Sequence, residues 1–416
     1  MNLFQLSWKN LTNKPLSLAL NLILFALGTG LISLLLLLSS QLQEKFDKNL
    51  AGIDLVIGAK GSPLQLILCS MYHVDTPTGN ISIKEAKPFM RPGHPLIKAA
   101  IPLSMGDNYK NYRIVGTTHD ILALYNAEIQ EGKKWEKTWE TTIGATVAAD
   151  LGLKIGDQFQ SSHGFASEKD MDMAHEGDFI VVGILKPSGS VVDQLILTNT
   201  QTIWAVHEHA AEGSTDSTAH EAHADDSKPL IEYEDRDITS LLIQFKNRNY
   251  MTLNMGRSIN ENTDMQAAMP AFEINRLYAN MGVGVDALQA LAFAIILVSG
   301  LSIFISLFSS LKERRYELAL MRVMGASRSR LFFLIILEGL LLAVLGCIIG
   351  LLLSHGGMAI LSGLMKDAYR YAFSGWVFLK EEWILLSGAL IIGVLAAVIP
   401  AIMAGRTDIS ETLAEG

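Results

Sequence analysis

The sequence predicts a membrane α-helical protein with four transmembrane helices and a large mixed α/β extracytoplasmic domain inserted between helices 1 and 2. Three observations predict it. Half of the 416 residues are hydrophobic and only 18% are charged. The apolar residues collect in four long blocks rather than in periodic stripes. The Lys and Arg residues of the short connections concentrate on one side of those blocks.

A hydrocarbon layer about 30 Å thick needs about 20 consecutive apolar residues in a helix. Residues 16–40, 287–311, 331–354 and 383–404 meet that demand, and the third block carries one acid, Glu338. The first block has Lys9 and Lys14 on its flank, as a signal peptide would. It is too long for the 7–15-residue apolar core of such a peptide and passes through five leucines into Ser39-Ser40-Gln41, so an uncleaved anchor is expected.

Orientation follows from short-loop Lys and Arg. The connection after the second block carries Lys312, Arg314, Arg315, Arg322, Arg328 and Arg330. The leader carries Lys9 and Lys14 without an acid, whereas the three basic residues of the last connection are offset by Asp367, Glu381 and Glu382. Both termini and the 312–330 connection are therefore expected in the cytoplasm, with residues 44–285 outside it. The expected division is a leader and first helix (1–43), the outer domain (44–285), and helices 2–4 with a cytoplasmic connection (286–416).

The outer segment holds 21 basic and 32 acidic residues, which argues against a nucleic-acid partner. β-rich runs are expected at 55–57, 113–115, 179–185 and 241–245, and a short helix at 145–151 stopped by Gly152. Residues 265–281 read as a helix running almost directly into the second span, broken only by Gly282 and Gly284. Cys69 lies in the outer segment and Cys347 inside the third span, so they are not expected to pair.

Residues 205–228 change character: four histidines (His207, His209, His220, His223) and six acids sit among Ala, Ser, Thr and Gly. Such a segment reads as a solvated acidic loop. Imidazole and carboxylate also suit zinc, copper or nickel, so a divalent metal bound by the four histidines is a second reading. Their spacing is not that of a closed structural site.

No nucleophile elbow, zinc-protease motif or phosphate-binding loop of proper spacing occurs, so neither a catalytic centre nor an ATP site is expected in this chain. Glu338 is costly inside a span and is a functional candidate on that ground. A single acid fits a helix-packing hydrogen bond better than a proton relay.

The most informative stretch is residues 312–327, KERRYELALMRVMGAS. Leu318, Met321 and Met324 read as one apolar face among charges, Gly325 as the helix stop, and Ser327 as the cap of the following helix. A short amphipathic helix at the membrane surface, 312–326, is expected. The pattern Glu-Arg-Arg-x-Glu-hydrophobic-x-Leu-x-Arg-x-hydrophobic-Gly-Ala-Ser resembles the exit of the second span in the MacB/FtsX-like ABC permease family. The similarity extends through Glu338-Gly339, Gly346 and Gly350, Ile399-Pro400-Ala401, Ala404-Gly405-Arg406, and Trp8-Lys9-Asn10-Leu11 before the first span. Residues 144–157 resemble the family's periplasmic core domain, and the histidine-rich segment has no counterpart there.

The resemblance implies a non-catalytic permease subunit of the bacterial inner membrane that pairs with a second permease copy and a separate cytoplasmic ABC ATPase. ATP and magnesium would be bound by the ATPase. The helix after the second span would dock on it through Glu313, Arg314, Glu317, Met321, Arg322 and Met324. ATP-driven motion would pass to the outer domain, acting on a lipoprotein, lipid, peptide or other periplasmic client. A regulator of a cell-wall hydrolase and a zinc-type metal-handling system are the alternatives.

Overall fold

The computed structural model describes residues 3–163, 178–212, 228–369 and 373–406. Its helices are α1 (Leu3–Thr12), α2 (Pro15–Leu50), α3 (Pro63–Tyr72), α4 (Ile83–Met90), α5 (Asp120–Leu124), α6 (Ala145–Leu151), α7 (Thr200–Glu212), α8 (Tyr250–Asn262), α9 (Pro270–Glu313), α10 (Arg315–Val323), α11 (Arg328–Tyr369) and α12 (Glu381–Arg406). The chain divides into two compact units, Met1–Gln43 with Asn280–Gly416, and Glu44–Ala279.

In the first unit α2, α9, α11 and α12 are long and apolar enough to cross a membrane. A spanning helix satisfies every interior backbone group within itself, which hydrocarbon requires. Three of these helices outrun their apolar blocks, and α11 runs on to Tyr369. The polar residues after 40 are sound helix formers, and Glu44 and Lys48 pair at 2.9 Å, so α2 continues to Leu50. Helix α9 starts with Pro270 at its first position and runs unbroken through Gly282 and Gly284. The expected break is absent because a glycine in a helix costs only about 1 kcal/mol, which a 44-residue helix absorbs. Residues 265–268, expected as helix, form a strand because they pair with residues 56–59.

Small residues let the spans approach closely, as packing within lipid favours. A Cβ added to Gly350 of α11 would lie 2.1 Å from the Thr29 hydroxyl and 2.8 Å from the Ala26 carbonyl of α2. One added to Gly339 would lie 2.6 Å from Ala397 of α12.

In the second unit the strands are β1 (Leu55–Ala59), β2 (Ile81–Ser82), β3 (Ile97–Tyr109), β4 (Tyr112–Thr117), β5 (Ile129–Gly132), β6 (Glu140–Ile143), β7 (Gln158–Phe159), β8 (Ser162–His163), β9 (Phe179–Leu185), β10 (Leu195–Thr198), β11 (Asp237–Ile238), β12 (Ser240–Phe245) and β13 (Met265–Ala268). The main sheet runs β13-β1-β12-β3-β4-β10-β6-β9-β5, with β7 on β9 and β8 on β3, and it mixes parallel and antiparallel pairs. Its central strands are apolar at consecutive positions because both faces are covered. Leu55, Ile57, Leu241 and Ile243 pack on one side with Ile259 of α8. Val56, Leu242, Ile101 and Leu103 pack on the other with Leu66 and Met71 of α3. Helix α6 ends at Gly152, whose φ of +67° is the left-handed cap that glycine adopts without strain.

Candidate functional site

The connection from α9 to α11 brings charged and apolar surface together on one short helix. Helix α9 ends at Glu313, and one residue later Arg314 caps α10 with φ −105° and ψ 17°. The two helices are thus joined without a loop. Leu318 (1% exposed) seats α10 against Leu307, Leu311, Leu331 and Ile335, and Ala319 (0%) is buried beside it. The opposite side turns Tyr316, Leu320, Val323 and Met324 outward, the last 72% exposed. Gly325 ends the helix with φ +98°.

The six residues expected to form a docking face divide. Glu313, Glu317 and Met324 are exposed, whereas Arg314, Met321 and Arg322 are half-buried. Met321 packs against the bundle core. At 100° per residue Leu318, Met321 and Met324 span an arc of about 120°, running from buried Leu318 through half-buried Met321 to exposed Met324. The outward apolar set is Tyr316, Leu320, Val323 and Met324, which a search for a single apolar stripe misses.

Glu338 fastens this elbow. Its carboxylate is 1% exposed and accepts a 2.6 Å hydrogen bond from Asn10 Nδ2 of α1. Arg314 Nη1 stands 3.5 Å away, while Arg314 Nε donates to Glu317 Oε2 at 3.2 Å. One buried acid therefore ties the leader helix, the start of α10 and the third span. Ser7 Oγ adds a bond to the Leu334 carbonyl at 3.4 Å. A polar seam continues between α2 and α9: Lys14 pairs with Glu313, Ser17 Oγ meets Ser306 Oγ at 2.7 Å, and Ser302 Oγ donates to Asn21 Oδ1 at 2.8 Å. Asn10, Lys14, Ser17, Asn21, Ser306 and Glu338 line a small pocket there.

A second buried network lies near the other end of α11. Glu382 Oε1 accepts from Ser33 Oγ at 3.0 Å and lies 3.1 Å from His355 Nε2, and Ser33 and Ser354 hydroxyls meet at 2.6 Å. His355 Nδ1 donates to the Gly375 carbonyl at 2.7 Å. Gln41 exchanges two bonds with the Ser374 backbone, at 2.7 and 2.8 Å. Together they strap the connection before α12 onto α2 and α11. Sequence reasoning passed over it because His355 follows the apolar block and Glu382 counted only as a loop charge. The available signal was the run Ser354-His355 at the end of a span facing an acid at the start of the next.

Of the four histidines of residues 205–228, His207 stands on α7, where Nδ1 donates to the Ile203 carbonyl at 2.8 Å and lies 3.9 Å from Asp107 Oδ2. His209 falls on the same helix. His220 and His223 lie outside the described residues. Among the described side chains no three His, Cys, Asp or Glu form a metal-ligand group.

Comparison with known proteins places this geometry. Residues 18–268 match the MacB-like periplasmic core domain and residues 290–409 the FtsX-like permease C-terminal domain. The chain is 24% identical over 162 residues to the uncharacterized ABC transporter permease YknZ of Bacillus subtilis (strain 168). That match spans 37% of this chain and 38% of the relative's length. A solved domain of a permease protein from Porphyromonas gingivalis covers 52% of this chain and 86% of its own, with 11% identity and a TM-score of 0.25, too low to bear on the fold.

Proposed function

The chain belongs to the MacB/FtsX-like ABC transporter permeases, and on that premise we propose that it relays ATP-driven motion from a separate cytoplasmic ATPase to its periplasmic core domain. The chain supplies no ATP chemistry. The ATPase binds ATP and magnesium, a second permease copy completes the assembly, and both termini face the cytoplasm. The client is extracytoplasmic, of lipoprotein, lipid or peptide type.

The observation that carries this reading is α10, rooted in the bundle by Leu318 and Ala319 yet presenting Tyr316, Leu320, Val323 and Met324 outward. An apolar face of this kind on a short, charged helix suits a protein partner. Its root is stiff, since α9 and α10 meet at Arg314 and Glu338 clamps that residue. A push on α10 is therefore delivered to α9, and α9 runs unbroken from Glu313 back to Pro270. Exposed Glu313 and Glu317 give the docking surface its charge, and half-buried Arg314, Met321 and Arg322 hold it in shape.

The test is the pair Val323→Glu and Met324→Glu, both at exposed positions. The folded permease is expected to lose its co-purifying ATPase and ATP-dependent activity. Retention of both in the double variant overturns the proposal.

A further inference from the structure

The outer domain is acidic, yet one edge of its sheet carries exposed apolar side chains set among cations. We propose that the first turn of α8, with Tyr250, Met251 and Leu253, settles into the surface of an anionic phospholipid bilayer, with Lys246, Arg248 and Arg257 on the lipid phosphates. The inference does not depend on whether an ATPase drives the chain.

Helix α8 buries Thr252, Gly256 and Ile259 against the domain. Its other side begins with Tyr250, Met251 and Leu253, which are 82, 65 and 61% exposed. Exposed apolar residues scattered singly are normal, but three large ones within four positions mark a contact surface. A capping box fixes this turn: Asn249 N donates to Thr252 Oγ1 at 2.8 Å, and Thr252 N donates to Asn249 Oδ1 at 3.0 Å. The apolar side chains are therefore presented by ordered backbone.

More apolar surface rises from the same edge. Val56 of β1 pairs with Leu242 of β12 and with Ala268 of β13, both antiparallel. Strands β12 and β13 therefore end where β1 begins, and α8 and α9 start from that edge. Met269 and Phe272, at the start of α9, are exposed as well. Strand β1 begins five residues after α2 ends at Leu50, and Asp54 lies 14 positions after Ser40, the last residue of the first apolar block. The chain thus tethers a bilayer surface to this edge, which raises its effective concentration over that of a free partner.

Charge selects among the occupants. From Lys246 to Asn260 the chain carries Lys246, Arg248 and Arg257 and no acid, in a segment of 32 acids and 21 bases. Arg257 follows Tyr250 by seven positions, two turns along the same side of α8. Arg248 reaches Asp54 at 3.2 Å and Arg257 reaches Glu261 at 2.7 Å, yet both side chains stay more than three-quarters exposed. Exposed pairs of this kind are weak, so both guanidinium groups can turn to phosphate. A second copy fits poorly, because a two-fold interface sets a patch against itself and here opposes cation to cation. An apolar turn flanked by Lys and Arg is the composition of helices that settle in an anionic headgroup layer.

The experiment uses the full chain with Met251→Cys, an exposed thiol beside two buried native ones, labelled with an environment-sensitive fluorophore. It is placed in nanodiscs of phosphatidylcholine, alone or with phosphatidylglycerol, that contain a headgroup-nitroxide lipid. Quenching at 251 is expected to be at least about threefold stronger in the anionic discs. The same probe on Asp264→Cys, exposed just before the far end of β13, should stay unquenched in both. Tyr250→Ser with Leu253→Ser should abolish quenching at 251, and Lys246→Gln with Arg257→Gln should lower it to the level of the neutral discs. All four side chains are exposed, so the melting temperature should hold. Equal quenching at 251 and 264, or at 251 in neutral and anionic discs, overturns the proposal. So does a 251 probe that is shielded from water but not quenched by the lipid, the mark of a protein on this face.

Discussion

Replacing Glu338 with alanine should free α10 from its root. The side chain is 1% exposed and holds two partners, Asn10 Nδ2 at 2.6 Å and Arg314 Nη1 at 3.5 Å. Stranding a buried donor costs about 1–3 kcal/mol. The second contact is longer, and Arg314 keeps Glu317 and some solvent, so its share is about 1 kcal/mol. The sum, about 3 kcal/mol, corresponds to roughly 100-fold more frequent local opening, since about 1.4 kcal/mol is tenfold. Hydrogen exchange of α1 and α10 amides in nanodiscs reads this directly, and both helices should exchange about 100-fold faster while the outer domain is unchanged. Glu338→Gln keeps an oxygen for Asn10 and loses only the charge, so its effect should stay under about tenfold. Unchanged exchange in the alanine variant, or equal effects of alanine and glutamine, refutes the claim that this carboxylate fastens the elbow.

Gly350→Ala should cost the bundle about 1–3 kcal/mol because its Cβ meets Thr29 and the Ala26 backbone, whereas Gly356→Ala, with nothing within 4 Å, should be close to neutral; melting temperatures compare them. Glu382→Leu should loosen residues 373–380, seen as exchange at least tenfold faster there, because Ser33 loses its acceptor and His355 the carboxylate 3.1 Å from its Nε2. Burial, with the nearby Arg113 charge assisting, pushes the His73 imidazole from 6.5 down to about 3. The unfolded chain then takes up a proton below about pH 6.5 that the folded domain refuses, so this contribution is full above 6.5 and is lost as pH falls, about 2 kcal/mol by pH 5. His73 has φ +53°, which asparagine tolerates, so His73→Asn should flatten the stability profile between pH 7.5 and 5, and an unchanged acid slope would refute this role.

Much of the architecture was legible because hydrocarbon and sheet impose strong patterns. Apolar blocks too long for a soluble core marked the four long helices, and the β-rich runs at 55–57, 113–115, 179–185 and 241–245 marked strands. The longest strand, β3, was missed because Pro102, Gly106 and Asp107 break its pattern, and only the bulge explains how they fit. Residues 265–268 show tertiary pairing overriding local preference. At the elbow, residue types pointed to an amphipathic helix, but the outward face emerged only from burial, since the sequence does not say which of two apolar sides meets the bundle. Networks such as Glu338 with Asn10 and Arg314, or Glu382 with His355 and Ser33, join residues 24 to 349 positions apart and have no linear signature.

The most direct test of the relay is covalent. Both native cysteines are buried, so Met324→Cys places a single exposed thiol on the outward face of α10. Treated with a short thiol–amine cross-linker in native membranes, this variant should join to a cytoplasmic ATPase, and the yield should change between nucleotide-free and ATP-trapped states. A thiol placed at exposed Leu253 of α8 should give no such product. Absence of an ATPase adduct at 324 in membranes where the permease is active would contradict the account.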